Sequence, residues 1–338
     1  HVLFHHLRLQ AELGQYPKED FLAFLALPRA EHSLLRIPEN VPQPTIDLHS
    51  DFRSATECLP VENDLTLVTD LLRHFLSQGD SSAEFSPFIP DQELTRIHAQ
   101  ARLLAGADPN RWGKAITPAE YKSLQEEVRI TFAPGQDRSL KANDPASLNL
   151  DLKNTPGLLV RIYELDLPNH LTREGQEPEV TIDLDGLVPH HERRIKFPNA
   201  SLQLHRETIA LPELSGAGAW LVEFVSGQVS ARSLVRKGQL TPYIERTASG
   251  QVVRVFDDNG EPVRTAVAKL GRETIPADAT GRIVIPNTGN QPLTTGILQA
   301  GKLATKLSLG DRADELTLDA RFHLEREQLL ADQEAMLR

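Results

Sequence analysis

One cysteine, one methionine, two tryptophans and 5% aromatic residues are what this 338-residue chain has least of. A lone thiol, Cys58, can form no internal disulfide, so the fold is not a disulfide-stapled scaffold. With few aromatics, the cores must be built from Leu, Val, Ile and Ala. No apolar run approaches the roughly 20 residues of a membrane-spanning helix, so no span is expected. Basic residues are also short. There are 36 against 47 acidic ones, a net charge of −11, so the chain lacks the field that draws phosphate backbones and no nucleic acid or anionic membrane is expected as a partner. Arg193-Arg194 is too short a run to reverse that. The chain contains no P-loop, no dinucleotide fingerprint, no G-x-S-x-G and no H-E-x-x-H.

The chain is 40% hydrophobic and 25% charged, the balance of ordinary folded protein, and its length suits two or three domains. It opens at His1 without Met or leader pattern, and Val2, Leu3, Phe4 and Leu7 already mark one face of a helix. It therefore reads as cut from a longer polypeptide.

Residues 1–127 read as a helical domain. Pro17-Lys18-Glu19-Asp20 opens the apolar stretch Phe21 to Leu27, which Pro28 ends. Pro38, Pro42 and Pro44 place an extended loop over 36–50. Asp64 is the expected cap of a helix whose Val68, Leu71, Leu72, Phe75 and Leu76 fall on one stripe. Leu94, Ile97, Ala101 and Leu104 predict a helix from Asp91 that Gly106 stops. Thr117-Pro118-Ala119-Glu120 is a capping box with proline in the first turn.

Near residue 128 the apolar period changes from 3.6 to 2. Val128, Ile130, Phe132 and then Leu148, Leu150, Leu152 alternate with polar residues. Further strands are expected over 158–165, 180–184, 202–211, 219–225 and 229–235, separated by turn residues. This makes residues 128–238 a sandwich. A second series, including 263–270, 282–285, 295–299, 304–309 and 316–322, makes residues 239–323 a smaller one, with Asp257-Asp258-Asn259-Gly260 as a tight turn. Residues 324–338 read as a linker or the start of another domain. The fold class is thus α plus all-β: a helical block followed by two antiparallel β-sandwiches.

Three stretches resemble a known family. They are Ile182-Asp183-Leu184-Asp185-Gly186-Leu187, then Leu211-Pro212-Glu213-Leu214-Ser215-Gly216 running on through Trp220 to Lys237-Gly238, and Val255 to Val263 with Asp278-Ala279-Thr280-Gly281. Together they are similar to the macroglobulin-like, Ig-like modules of bacterial alpha-2-macroglobulin-related proteins. The third also resembles a carboxypeptidase regulatory-like module. The resemblance covers residues 128–325 and implies a scaffold in a large surface or periplasmic protein, an extracytoplasmic setting. The thioester of that family does not carry over, because Cys58-Leu59-Pro60-Val61 lacks the glutamine three residues on.

The candidate chemistry is sparse. His190-His191-Glu192 could contribute to a metal site only if His205 or Asp185 joined it, because neighbours on a strand face opposite ways. His1 and His5 lie one helical turn apart, with His6 beside them. Cys58 would need His49 or His74 as a base. Asp257, Asp258, Asn259 and Glu261 could face calcium, but a hairpin turn accounts for them. Glu164, Asp166, Asp183 and Asp185 could pair for glycosidic chemistry, or simply sit on solvent faces. None of these assembles, so no catalytic, cofactor or metal residue is assigned. The sequence reads as a non-catalytic structural and interaction segment, with the helical block beside the first sandwich and the sandwiches in a rod-like array. Its expected partners are other domains of its own chain, and protein ligands that meet its loops or sheet edges. A metal-dependent hydrolase at the helical–sandwich junction is the alternative. A carbohydrate-binding module is a third reading, poorly served by Trp112 and Trp220.

Overall fold

The apolar period changes at residue 128, and the helices before it bury apolar stripes against one another. A computed structural model describes residues 1–309 except 38, 41–43, 80, 137, 185, 199–201, 248–249 and 287–294. The expected strand over 316–322 and the segment 324–338 lie outside the described residues. Seven helices come first: α1 Val2–Glu12, α2 Lys18–Leu25, α3 Arg53–Thr56, α4 Leu65–Ser77, α5 Asp91–Leu104, α6 Pro109–Trp112 and α7 Pro118–Glu126.

Helix α5 organises the block because it is apolar on two sides. Leu94, Ile97 and Ala101 join one core with Phe4, Leu7, Phe21, Phe24, Val68 and Leu72. Ala99 and Leu103, on the opposite face, join Ile116 in a second, smaller core. The end of α4 is held from α5: Arg102 Nη1 donates to Ser77 O at 2.7 Å, and His98 Nε2 bonds to Gly79 O at 3.0 Å. The capping box at α7 is formed as expected, with Glu120 N donating to Thr117 Oγ1 and the Glu120 carboxylate accepting from Thr117 N. Asp64 departs from expectation. It stands at the N-cap position of α4 but makes no cap bond, because its carboxylate is committed elsewhere.

The first sandwich contains β1 Arg129–Phe132, β2 Ser139–Leu140, β3 Ser147–Lys153, β4 Gly157–Leu165, then, beyond helix α8 Leu167–Glu174, β5 His191–Lys196, β6 His205–Ala210, β7 Gly218–Ser226 and β8 Val229–Lys237. One sheet has the order β1-β3-β6, the other β2-β8-β7-β4-β5. All pairs are antiparallel except β2 with β8. Leu148, Leu150 and Leu152 from one sheet meet Leu158, Val160, Ile162, Trp220, Val222 and Phe224 from the other. This is the alternation read from sequence, now facing inward. Residues 180–184, expected as a strand, form none, and β5 occupies a segment for which no strand was expected.

Helical block and first sandwich form one compact unit, His1–Leu165 with Glu179–Lys237. Lys153, fully buried at the end of β3, ties them. Its ammonium donates to Leu124 O and Glu127 O at the end of α7 and pairs with the Glu127 carboxylate at 3.4 Å. A cation there answers the unpaired carbonyls of a helix C-terminus. Leu204 N to Leu104 O and Gly135 N to Glu12 O, both 2.8 Å, add two more ties.

The second unit comprises Asp166–Pro178 and the chain from Gly238 onward. Its strands are β9 Thr241–Thr247, β10 Gly250–Phe256, β11 Val267–Leu270, β12 Glu273–Pro276, β13 Arg282–Pro286, β14 Thr295–Ala300 and β15 Leu303–Ser308. The sheets β13-β10-β9 and β12-β11-β14-β15 close over Val253, Val255, Ile283 and Ile285 on one side and Ala268, Leu270, Leu298 and Leu307 on the other. Helix α8 packs on β14 and β15. Gly250 is required at the start of β10: its φ is +148°, and a Cβ there would meet Ile285 O at 2.1 Å.

Candidate functional site

Three arrangements of polar and charged side chains are held in ways that the sequence does not announce. Arg29 Nη1 donates to Asp64 Oδ2, and His32 Nε2 bonds to Asp64 Oδ1 at 3.0 Å. His32 Nδ1 accepts from the backbone N–H of Leu34 and Leu35, at 2.9 and 3.0 Å. Both ring nitrogens are therefore spent: Nδ1 is an acceptor, so Nε2 carries the hydrogen that Asp64 receives. The imidazole has no lone pair left to take a proton from a substrate. Burial works against charge on Asp64, but the hydrogen bonds from His32 and Arg29 and the guanidinium charge outweigh it and bring its pKa down to about 2. The trio floors a cavity of about 720 Å³ rimmed by Glu31, Asp47 and Glu62.

The second arrangement is an ion-pair row across the outer face of the five-stranded sheet. Glu192 on β5 meets Arg161 on β4 at 3.0 Å, Arg161 meets Glu223 on β7 at 3.6 Å, and Glu223 meets Arg232 on β8 at 2.8 Å. Cross-strand register puts these residues opposite one another. Glu223 is buried beneath the row. Arg232 also donates to Ile182 O at 3.3 Å, which fastens the segment expected as a strand.

The third is the seam between helices and first sandwich. Tyr16 stacks on His74 with ring centroids 3.4 Å apart, and Arg206 pairs with Asp151 at 2.7 Å. Burial raises the Tyr16 pKa, and burial lowers that of His74. None of the histidine or carboxylate candidates of the β half meets there.

The remaining candidates are dispersed. His190 Nδ1 accepts from Glu164 N at 3.1 Å, while His191 opens β5 and is exposed. Asp185 lies outside the described residues. His1 bonds Leu48 O, His5 bonds Leu59 O and His6 pairs with Asp20, so the three N-terminal histidines have three separate roles. Among the described residues no three His, Cys, Asp or Glu side chains are grouped to hold a metal. Cys58 is half-buried, its N–H bonded to Thr56 Oγ1, and His74 is taken up by Tyr16 and Gln78. Asp257 Oδ1 accepts from the N–H of Asn259 and Glu261, and Asp278 Oδ1 accepts from those of Thr280 and Arg282, so both D-x-x-G turns have one construction. Trp220 is core, and the Arg102 and Arg111 guanidinium groups lie 5.9 and 4.7 Å from the Trp112 ring centroid.

Besides the cavity above Asp64 the surface offers exposed faces. On the outer side of the β13-β10-β9 sheet, Val284 lies opposite Val252 and Tyr243 opposite Arg254. Tyr243 is 60% and Val284 45% exposed. On α1, Val2, Leu9 and Leu13 project away from the buried Phe4 and Leu7. Exposed aromatic and aliphatic groups beside arginine have the composition of protein-binding surfaces. Among the described residues no helix is long and apolar enough to cross a membrane.

A helical block followed by antiparallel, Ig-like sandwiches is the class that this architecture defines. Residues 1–128 match the family model described as the Actin-binding protein F N-terminal domain, and residues 158–238 match that of the AbpF first immunoglobulin-like domain. The second match begins at β4, although the sandwich it belongs to begins at β1. The chain is 22% identical over 303 residues to Actin-binding protein F of Dictyostelium discoideum, an alignment that takes in 88% of this chain and 13% of that protein. These findings overturn the bacterial alpha-2-macroglobulin reading. Two crystal structures of Escherichia coli alpha-2-macroglobulin are structural neighbours at 15% and 18% identity, covering 54% of this chain and 64% and 97% of theirs. Their TM-scores of 0.37 and 0.36 are too low to carry that relationship. Of the stretches that suggested it, the third, a strand, a D-x-x-G turn and a second strand, is general to sandwich modules. The extracytoplasmic setting rested on that resemblance alone and loses its support with it.

Proposed function

We propose that this chain is a non-catalytic interaction segment of a longer Ig-like multidomain protein, and that its partner is actin. The observation that carries this reading is the succession of two domain models from one actin-binding protein, in chain order, on the helical block and the first sandwich. The relative with which the chain aligns bears the same name. The non-catalytic part draws support from the use of the titratable groups: His32 spends both nitrogens on structure, Glu223 lies between two arginines, and the turn aspartates hold their own backbones. The exposed faces of α1 and of the β13-β10-β9 sheet are surfaces of the kind a filament could meet. The test is imaging of dye-labelled chain on immobilised actin filaments. Filaments decorated in proportion to chain concentration support the reading, and bare filaments at every concentration refute it.

A further inference from the structure

Two lysines are buried at the ends of strands in the first sandwich, and they are treated differently. Lys153 is satisfied, with two carbonyl acceptors and the Glu127 carboxylate around its ammonium. Lys237, at the end of β8 and 4% exposed, has one protein acceptor among the described residues, Leu214 O at 2.9 Å. An ammonium carries three N–H donors, and leaving them unmet in a buried place is costly. Lys237 lines a cavity of about 420 Å³ between the loop 142–146 and the turn 210–216. That turn is the Leu211-Pro212-Glu213-Leu214-Ser215-Gly216 motif that stands out in the sequence. Its conformation is fixed from within: Leu214 N donates to Leu211 O, and Gly216 has φ +70°. Asn143 and Ser215 on the walls are further polar partners. Asp144 is on the rim, exposed and turned to its own loop, where it accepts from Lys141 N.

We infer that this cavity is a binding site for a carboxylate of a polypeptide, with Lys237 as the charged floor. A carboxylate supplies the acceptors that the ammonium lacks, as Glu127 does for Lys153. The cavity is too wide for a single counter-ion and is open to solvent, which suits a residue presented on a chain. The inference does not rest on actin being the partner, so failure of actin binding leaves it intact.

The test is a titration of the full chain followed by backbone amide resonances of Leu214 to Ala217. The probes are acetate, N-acetyl-aspartate amide for a side-chain carboxylate, N-acetyl-alanine for a chain-terminal one, and N-acetyl-asparagine amide as the neutral control. A saturable shift with either peptide-like acid and none with the neutral amide is expected, and the acid that binds more tightly names the source. Lys237→Met should weaken that binding at least tenfold. Ala142→Leu, which narrows the cavity without touching the lysine, should do the same if Lys237→Met fails to fold. No saturable shift with either peptide-like acid, saturation with acetate alone, equal binding of the neutral amide, or binding that survives the substitutions would overturn the inference.

Discussion

Asp64 shows how a residue can be placed by a local rule and employed by a distant one. Its position before Leu65 is that of a helix cap, and the sequence supports no other reading. Arg29 and His32 lie 35 and 32 residues away, and only folding brings them to its oxygens. Replacing it with Asn leaves the Arg29 guanidinium buried without its counter-charge. Asp64→Asn should cost about 3 kcal/mol or more, read from urea unfolding midpoints. The pH dependence has a definite sign. A carboxyl lowered from 3.8 to about 2 stabilises the fold fully above pH 4 and ceases to do so as pH falls through about 2. The stability difference between the two proteins should therefore shrink by roughly 2 kcal/mol between pH 4 and pH 2. A difference that stays constant with pH would contradict the assignment. Lys153 and Lys237 were equally illegible: a lysine in an alternating strand reads as solvent-facing, and nothing local signals the helix end or the turn whose carbonyls receive it.

Elements were read well where short-range chemistry decides them. The capping box at Thr117, the stripe of α4, and the alternation in β3, β4, β7 and β8 each needed only neighbours in sequence. Thr117→Ala removes one arm of a formed box and should cost about 1 kcal/mol, checked by thermal or urea unfolding against Lys122→Ala as a surface control. Two elements were passed over for different reasons. Helix α8 carries its signals: Asp166 accepts from Asn169 N, Pro168 lies in the first turn and Gly175 ends it with φ +66°. It is short and follows a strand, so the period-2 reading ran past it. Strand β5, His191-Glu192-Arg193-Arg194-Ile195-Lys196, has almost no apolar alternation because it is the edge of its sheet among the described strands. Charged side chains on an edge are how sheets discourage pairing with another chain, so composition there reports protection rather than burial. Residues 180–184 erred the other way, since Val180 and Ile182 alternate with polar residues but are fastened by Arg232 instead of by a neighbouring strand.

At the scale of the molecule, the class was legible and the kinship was not. A helical block followed by sandwiches emerges from a change of period, which is a property of many residues at once. Kinship was inferred from turn motifs that recur wherever a sandwich needs a tight reversal, and such motifs do not separate one family from another. The compact units also cut across the order of the sequence, because α8 leaves the first sandwich to pack on β14 and β15. A chain ending at Lys237 would strip the cover from Leu167, Pro168 and Leu171. That fragment should bind a hydrophobic dye more strongly than the full chain and melt at a lower temperature; equal dye binding would contradict the packing of α8. If the segment binds actin as proposed, co-sedimentation with filaments should give a pelleted fraction that rises with filament concentration and saturates at a fixed stoichiometry, with Asp64→Asn pelleting less as its helical block loosens. A chain that stays in the supernatant at every filament concentration, while folded by circular dichroism, would contradict that proposal.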